Sequence, residues 1–210
     1  MSLHEEVLGR AQPAVLSLVG PALEAEGFYL GGGTALALHL GHRRSVDLDW
    51  FANHAIDDVL QLGSRLQGRG VPLAVERADS GTLHGRVRSV HISLLEYPFP
   101  LIGQLVYWPE RGCHLASLDD LAAMKLSAIA QRGAKRDFVD IYSLATAYRP
   151  LHELLETYRR KYGILGIAHV LYGLTYFDLA DRDRTPPMLW DVDWRAVKRA
   201  IRQWVEQLAR

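Results

Sequence analysis

The sequence predicts an α+β protein: a mixed sheet with flanking helices over residues 1–116, followed by a C-terminal helical domain over residues 117–210. Three observations carry this. Short apolar runs bounded by glycine, proline or serine recur as far as Ala116, as strands do. From Ser117 onward nearly every segment repeats its apolar residues at helical spacing. Hydrophobic residues make up 49% and charged residues 23% of the 210 positions, which is the composition of a chain that folds around a core.

Leu3 to Glu26 places Val7, Val15, Leu18, Val19 and Leu23 at helical spacing, with Pro13 and Pro21 interrupting or kinking the helix. Phe28 to Leu30 reads as a strand ending in glycines, and Thr34 to Leu40 as a helix with Thr34 near its start. Val46 to Phe51 is a second strand, in which Asp47 and Asp49 alternate with apolar residues and so share a face. Ile56 to Leu66 looks helical. Val71 to Glu76, Thr82 to Arg88 and Val90 to Leu95 read as strands, with Ser80-Gly81 turning between the first two. After Pro98 and Pro100 the chain reads as irregular until Cys113 to Ala116. Helices are expected at Leu118 to Gln131, Arg136 to Ala147, Leu151 to Tyr162, Ile164 to Leu179 and Trp194 to Leu208, with Asp181 to Pro187 as a loop. Ser117 followed by Asp119 and Asp120 is a favourable helix start, because acidic side chains complement the N-terminal end of the dipole.

The 24 basic and 24 acidic side chains cancel, which disfavours extended nucleic-acid binding and leaves a protein or a locally gripped tRNA end as the better acceptor of any chemistry. Cys113 stands alone, so no intrachain disulfide and no cysteine-based zinc site is expected, and a reducing compartment fits. Glu5, Glu6 and Arg10 precede any long apolar run, and no stretch approaches the ~20 apolar residues that span a bilayer. A cytoplasmic protein without leader or membrane anchor is expected.

Gly31-Gly32-Gly33-Thr34, followed by His42-Arg43-Arg44-Ser45 and Asp47-Leu48-Asp49, is the strongest chemical signal. A glycine turn frees backbone N–H groups for phosphate oxygens, and paired carboxylates suit a divalent cation. The intervening helix lays the second strand beside the first, placing turn and carboxylates together. No Lys-Ser/Thr follows the glycines, so this is not a P-loop. Lys125 sits on the apolar stripe Leu118, Leu121, Ala122, Ala128 and Ile129. It reads equally well as a snorkelling side chain or as a cation reaching a triphosphate. Asp137 and Asp140, one turn apart, are suited to holding Arg or Lys side chains in place.

Taken together, GGGTALALHLGHRRSVDLDWF and SLDDLAAMKLSAIAQRGAKRDFVDIYSL resemble the AbiEii/AbiGii toxin family over roughly residues 25–150. These are nucleotidyltransferases of the DNA polymerase β-like superfamily, usually encoded beside a winged-helix antitoxin in type IV toxin–antitoxin or phage-defence systems. The resemblance implies a nucleotidyltransferase-like sheet domain, an NTP substrate, Mg²⁺, a protein or tRNA acceptor and a nearby antitoxin. Residue by residue, it makes Gly32, Gly33 and Thr34 the phosphate-cradling turn, with Arg43 and Ser45 beside it. Asp47 and Asp49 become Mg²⁺ ligands, Lys125 a nucleotide contact, and Asp137 and Asp140 supporting residues. The superfamily's third carboxylate is missing. Its expected position is Ser93, with His91 on the same strand face as a candidate base or ligand, while Glu96 has the wrong parity. A catalytically degenerate member that binds nucleotide or partner is the alternative.

Overall fold

The computed structural model describes residues 3–208. The leader-peptide expectation and the outer ends of both domain ranges touch Met1, Ser2, Ala209 and Arg210, which lie outside the described residues. The chain begins with a 3₁₀ turn, Glu5–Val7, and α1, Gln12–Glu24. Pro13 opens α1 rather than interrupting it, because a missing N–H costs nothing in the first helical turn. The rest of the first half is β1 (Tyr29–Leu30), α2 (Gly32–Leu40), β2 (Leu48–Ala52), α3 (Val59–Gly68), β3 (Leu73–Asp79), β4 (Thr82–Val87), β5 (Val90–Glu96), β6 (Val106–Trp108) and β7 (Cys113–Leu115). The second half is α4 (Leu118–Gln131), α5 (Lys135–Ala147), α6 (Leu151–Tyr162), α7 (Ala168–Thr175), α8 (Asp178–Arg182) and α9 (Trp194–Leu208).

The strands form one seven-stranded mixed sheet in the order β3-β4-β5-β2-β1-β7-β6. β2 lies antiparallel to β1 and parallel to β5, and β1 lies parallel to β7. The expected α+β class is therefore observed. β6 was expected as irregular chain: it is three residues long, sits at the sheet edge and pairs only with β7, so it lacks the long alternation that marks a strand. The single helix expected over 164–179 is two, because Tyr176 turns extended (φ −97°, ψ 104°) while Leu174, Phe177 and Ala180 stay buried. Apolar spacing follows burial, and here it runs across a backbone break. Asp181 and Arg182 belong to α8, so the loop starts at Asp183 rather than at Asp181.

α2 explains how the halves meet. Ala35, Leu36, Ala37 and Leu38 are all fully buried, the signature of a helix covered on every side. It packs on β2 below and on α4 and α5 above. One hydrophobic cluster accordingly runs from Leu30, Trp50 and Leu94 of the sheet through Leu36 to Leu121, Phe138 and Leu144 of the helices. Among the described residues no helix is long and apolar enough to cross a membrane.

Candidate active site

β1 ends at Leu30 and α2 starts at Gly32, so the glycine turn is the hinge between them. The Gly31 N–H donates to the Asp49 carbonyl at 2.8 Å, pinning the turn to β2. Gly32 has φ +61°, and a Cβ there would stand 2.6 Å from Asp49 Oδ2. A Cβ on Gly33 would stand 2.6 Å from Arg43 Nη2. The glycines are required because a carboxylate and a guanidinium lean directly on the backbone. Thr34 is buried, and its hydroxyl lies 2.8 Å from Ser45 Oγ and donates to the Asp47 carbonyl. It ties α2 to the loop that carries Ser45 and Asp47. Asp47 lies one residue before β2 begins and Asp49 within it, both half-buried.

Strand register sets the next row. Asp49 pairs with Ser93 on β5, and Ser93 pairs with His84 on β4. The serine thus occupies the position opposite the acidic strand. His84 Nδ1 lies 3.2 Å from Ser93 Oγ. His91 is two pairs further along, opposite Arg86, with half its side chain exposed and its Nδ1 3.8 Å from Glu76 Oε2. Glu96 does turn away from this face, accepting a hydrogen bond from the Ile56 N–H at 3.0 Å.

The helical half supplies a buried charge cluster. Arg43 grips Asp140 in bidentate fashion, Nε to Oδ1 at 2.6 Å and Nη2 to Oδ2 at 2.8 Å. His42 Nε2 lies 2.7 Å from the same carboxylate. Lys125 Nζ bridges Asp137 Oδ1 at 3.0 Å and Asp140 Oδ2 at 2.6 Å. Arg132 reaches Asp137 with Nε at 2.8 Å. Burial alone would raise both carboxyls, but Lys125, together with Arg43 for Asp140 and Arg132 for Asp137, outweighs it. Asp137 is held below the usual carboxylate range and Asp140 well below it. Burial likewise works against the Arg43 guanidinium, and Asp140 more than compensates. Three basic side chains, Arg43, Lys125 and Arg132, meet two carboxylates here, leaving a basic excess. An ammonium carries three donors, two of which are taken at Lys125.

These parts surround a cavity of about 660 Å³. Gly32, Gly33, Arg43, Ser45, Asp47, Asp49, His91, Ser93 and Lys125 all line it; Thr34, Asp137 and Asp140 do not. The sequence reading missed His84 and Arg132 as site residues, although both line the cavity. His84 is in phase with the β4 alternation, but only the pairing register brings it beside Ser93. Pro186 and Pro187 close one rim. Their segment is tied down by Arg44 N–H to the Pro187 carbonyl at 2.9 Å and by Leu189 N–H to the His42 carbonyl at 2.9 Å. Among the described residues no three His, Cys, Asp or Glu side chains converge as a metal cage. The donor set still fits Mg²⁺, which is commonly held by one or two carboxylates plus substrate phosphates and water.

The fold is that of a nucleotidyltransferase. The nucleotidyltransferase toxin MenT4 from Mycobacterium tuberculosis H37Rv superposes with a TM-score of 0.59 at 15% identity, covering 93% of this chain and 82% of that one. The family described as nucleotidyl transferase AbiEii toxin, type IV TA system, matches residues 17–207. The chain belongs to the AbiEii nucleotidyltransferase toxin family, as its motifs indicate. An uncharacterized Aquifex aeolicus protein (strain VF5), aq_aa25, is 29% identical over 189 residues, which is 85% of this chain and 88% of that one.

Proposed function

We propose that this chain transfers an NMP unit from an NTP to a protein or tRNA acceptor in the cytoplasm, as a toxin restrained by a winged-helix antitoxin encoded nearby. The observation that carries the reading is the single cavity in which the Gly32 turn leans on Asp49 while Lys125 faces it from α4. The first N–H groups of α2 have no intrahelical partners and offer themselves to phosphate oxygens at Gly32 and Gly33. Thr34 holds that turn in place from behind. The remaining Lys125 donor and the basic excess around it meet the triphosphate. Arg43 and Ser45 form the wall beside the turn, and Asp137 and Asp140 hold the cations in position. Asp47 and Asp49 would hold Mg²⁺, which when bound offsets charge at the phosphates. The acceptor oxygen bonds to the α-phosphorus as the bond to pyrophosphate breaks.

Incubation with each labelled NTP, Mg²⁺ and cell lysate is expected to label an acceptor. Absence of label under every divalent metal, or equal labelling by Asp49→Ala, would sink the reading.

Ser93 at the register position opposite Asp49 supports a second reading, a degenerate member that binds nucleotide without turnover. Calorimetry showing NTP binding with no product would favour it, and sustained turnover would exclude it.

A further inference from the structure

Transfer to a hydroxyl leaves a proton to be placed. The acceptor oxygen must lose it while bonding to phosphorus, and a positioned base at that point is worth orders of magnitude in rate. Lys125 and Arg132 are protonated donors and cannot take it. Asp47 and Asp49 would hold the cation. Ser93 faces the same cavity from the neighbouring strand, as the register partner of Asp49. A hydroxyl can accept a proton there only by passing its own onward, since it is acceptor and donor together. His84 Nδ1, 3.2 Å from Ser93 Oγ, is placed to receive it.

We propose that Ser93 and His84 form a proton relay in place of the absent third carboxylate. The acceptor hydroxyl gives its proton to Ser93 Oγ, Ser93 gives its own to His84 Nδ1, and the imidazolium later releases one to solvent. Ser93 touches the acceptor; His84 acts through it. The relay requires the neutral imidazole to carry its hydrogen on Nε2, leaving Nδ1 as acceptor. The proposal rests on the transfer reading above and specifies how that site removes the proton.

The neighbours of His84 leave it available for this. On β3 its register partner Arg77 is ion-paired to Asp79. On its own strand Arg86 is bound to Glu76 at 2.7 Å, and on β5 His91 faces that same glutamate at 3.8 Å. On β2 Asp49 is separated from it by Ser93, and Arg132, lining the cavity just after the end of α4, is held by Asp137 at 2.8 Å. His91 has no comparable hydroxyl partner among the described residues and is paired across the strand with an arginine.

Two measurements on the full chain test the relay. Nitrogen-resolved NMR of the histidine rings is expected to show the Nε2–H tautomer at His84, with its Nδ1 signal shifted by Ser93→Ala. A hydrogen on Nδ1, or indifference to Ser93→Ala, overturns the relay whatever the transfer rate. In the labelled-NTP assay, His84→Ala should slow transfer by about 100-fold or more at neutral pH. It should also abolish the acid limb of the pH–rate profile, with NTP affinity unchanged. Ser93→Asp in the His84→Ala background should restore transfer without that limb. Wild-type protein that transfers nothing overturns the transfer reading and the relay with it. Wild-type protein that transfers while His84→Ala matches it in rate and pH profile overturns the relay alone.

Discussion

Of two aspartate pairs at this site, one is buried away from the cavity and the other lines it, and they use their charge in opposite ways. Asp137 and Asp140 on α5 are fully buried, and each is gripped by cations at 3.0 Å or less. Asp47 and Asp49 are half-buried, line the cavity, and have no ion-pair partner among the described residues. The first pair spends its charge inside the protein to fix Lys125, Arg43 and Arg132. The second has no such partner among the described residues, as the proposed cation site requires. Residue type does not separate a structural carboxylate from a ligand-binding one; the partner and the burial do.

The sharpest way to break this comparison is Asp140→Ala, which strands Arg43 as a buried, uncompensated charge and leaves Lys125 with Asp137 alone. A loss of about 3–5 kcal/mol in urea unfolding is expected. A loss at the level of a surface ion pair, about 0–1 kcal/mol, would put the two pairs in the same class. Gly32→Ala comes next. It forces a side chain into φ +61° and pushes on Asp49 Oδ2. A cost of about 1–3 kcal/mol is expected from thermal melting, together with weaker NTP binding by calorimetry.

Acid should separate the pairs as well. Asp137 and Asp140 are depressed in the folded state, so the unfolded chain binds protons more readily than the native one. Their stabilisation is full above the unfolded carboxylate range near pH ~3.9 and is lost as pH falls below it towards their native values. Urea midpoints measured downward from neutrality should fall steeply there in the wild type, and a flat profile would contradict the sign. The smallest stability effect belongs to Asp49→Asn, within about 0.5 kcal/mol. The same variant should lose transfer, and a large destabilisation would show that Asp49 has a structural role after all.

Much of this was legible in the chain. The glycine turn, the acidic pair and the Ser93 position follow from strand parity and short loops, which are local properties. The family was readable because its two motifs are each contiguous in sequence. The Arg43–Asp140 clamp was not, because its partners are 97 residues apart and a lone arginine in a loop has no periodicity to betray it. His84 was missed for a related reason: its meaning lies in which residue of β5 it faces, and pairing register across a sheet is a tertiary fact. Lys125 was ambiguous because burial on an apolar stripe fits both of its readings; the two carboxylates around it decide that it is held rather than snorkelling.

The rim at Pro187 has a consequence for synthesis. Chains leave the ribosome N-terminus first and fold in that order. The loop bearing Arg43 and Arg44 is made early, yet Arg43 finds Asp140 only after 97 further residues, and the Arg44 N–H finds the Pro187 carbonyl later still. A chain stopped before Lys135 carries the acidic pair with neither clamp nor rim. Prematurely terminated copies therefore lack the finished site: the charge cluster waits for Asp140 and the rim for Pro187.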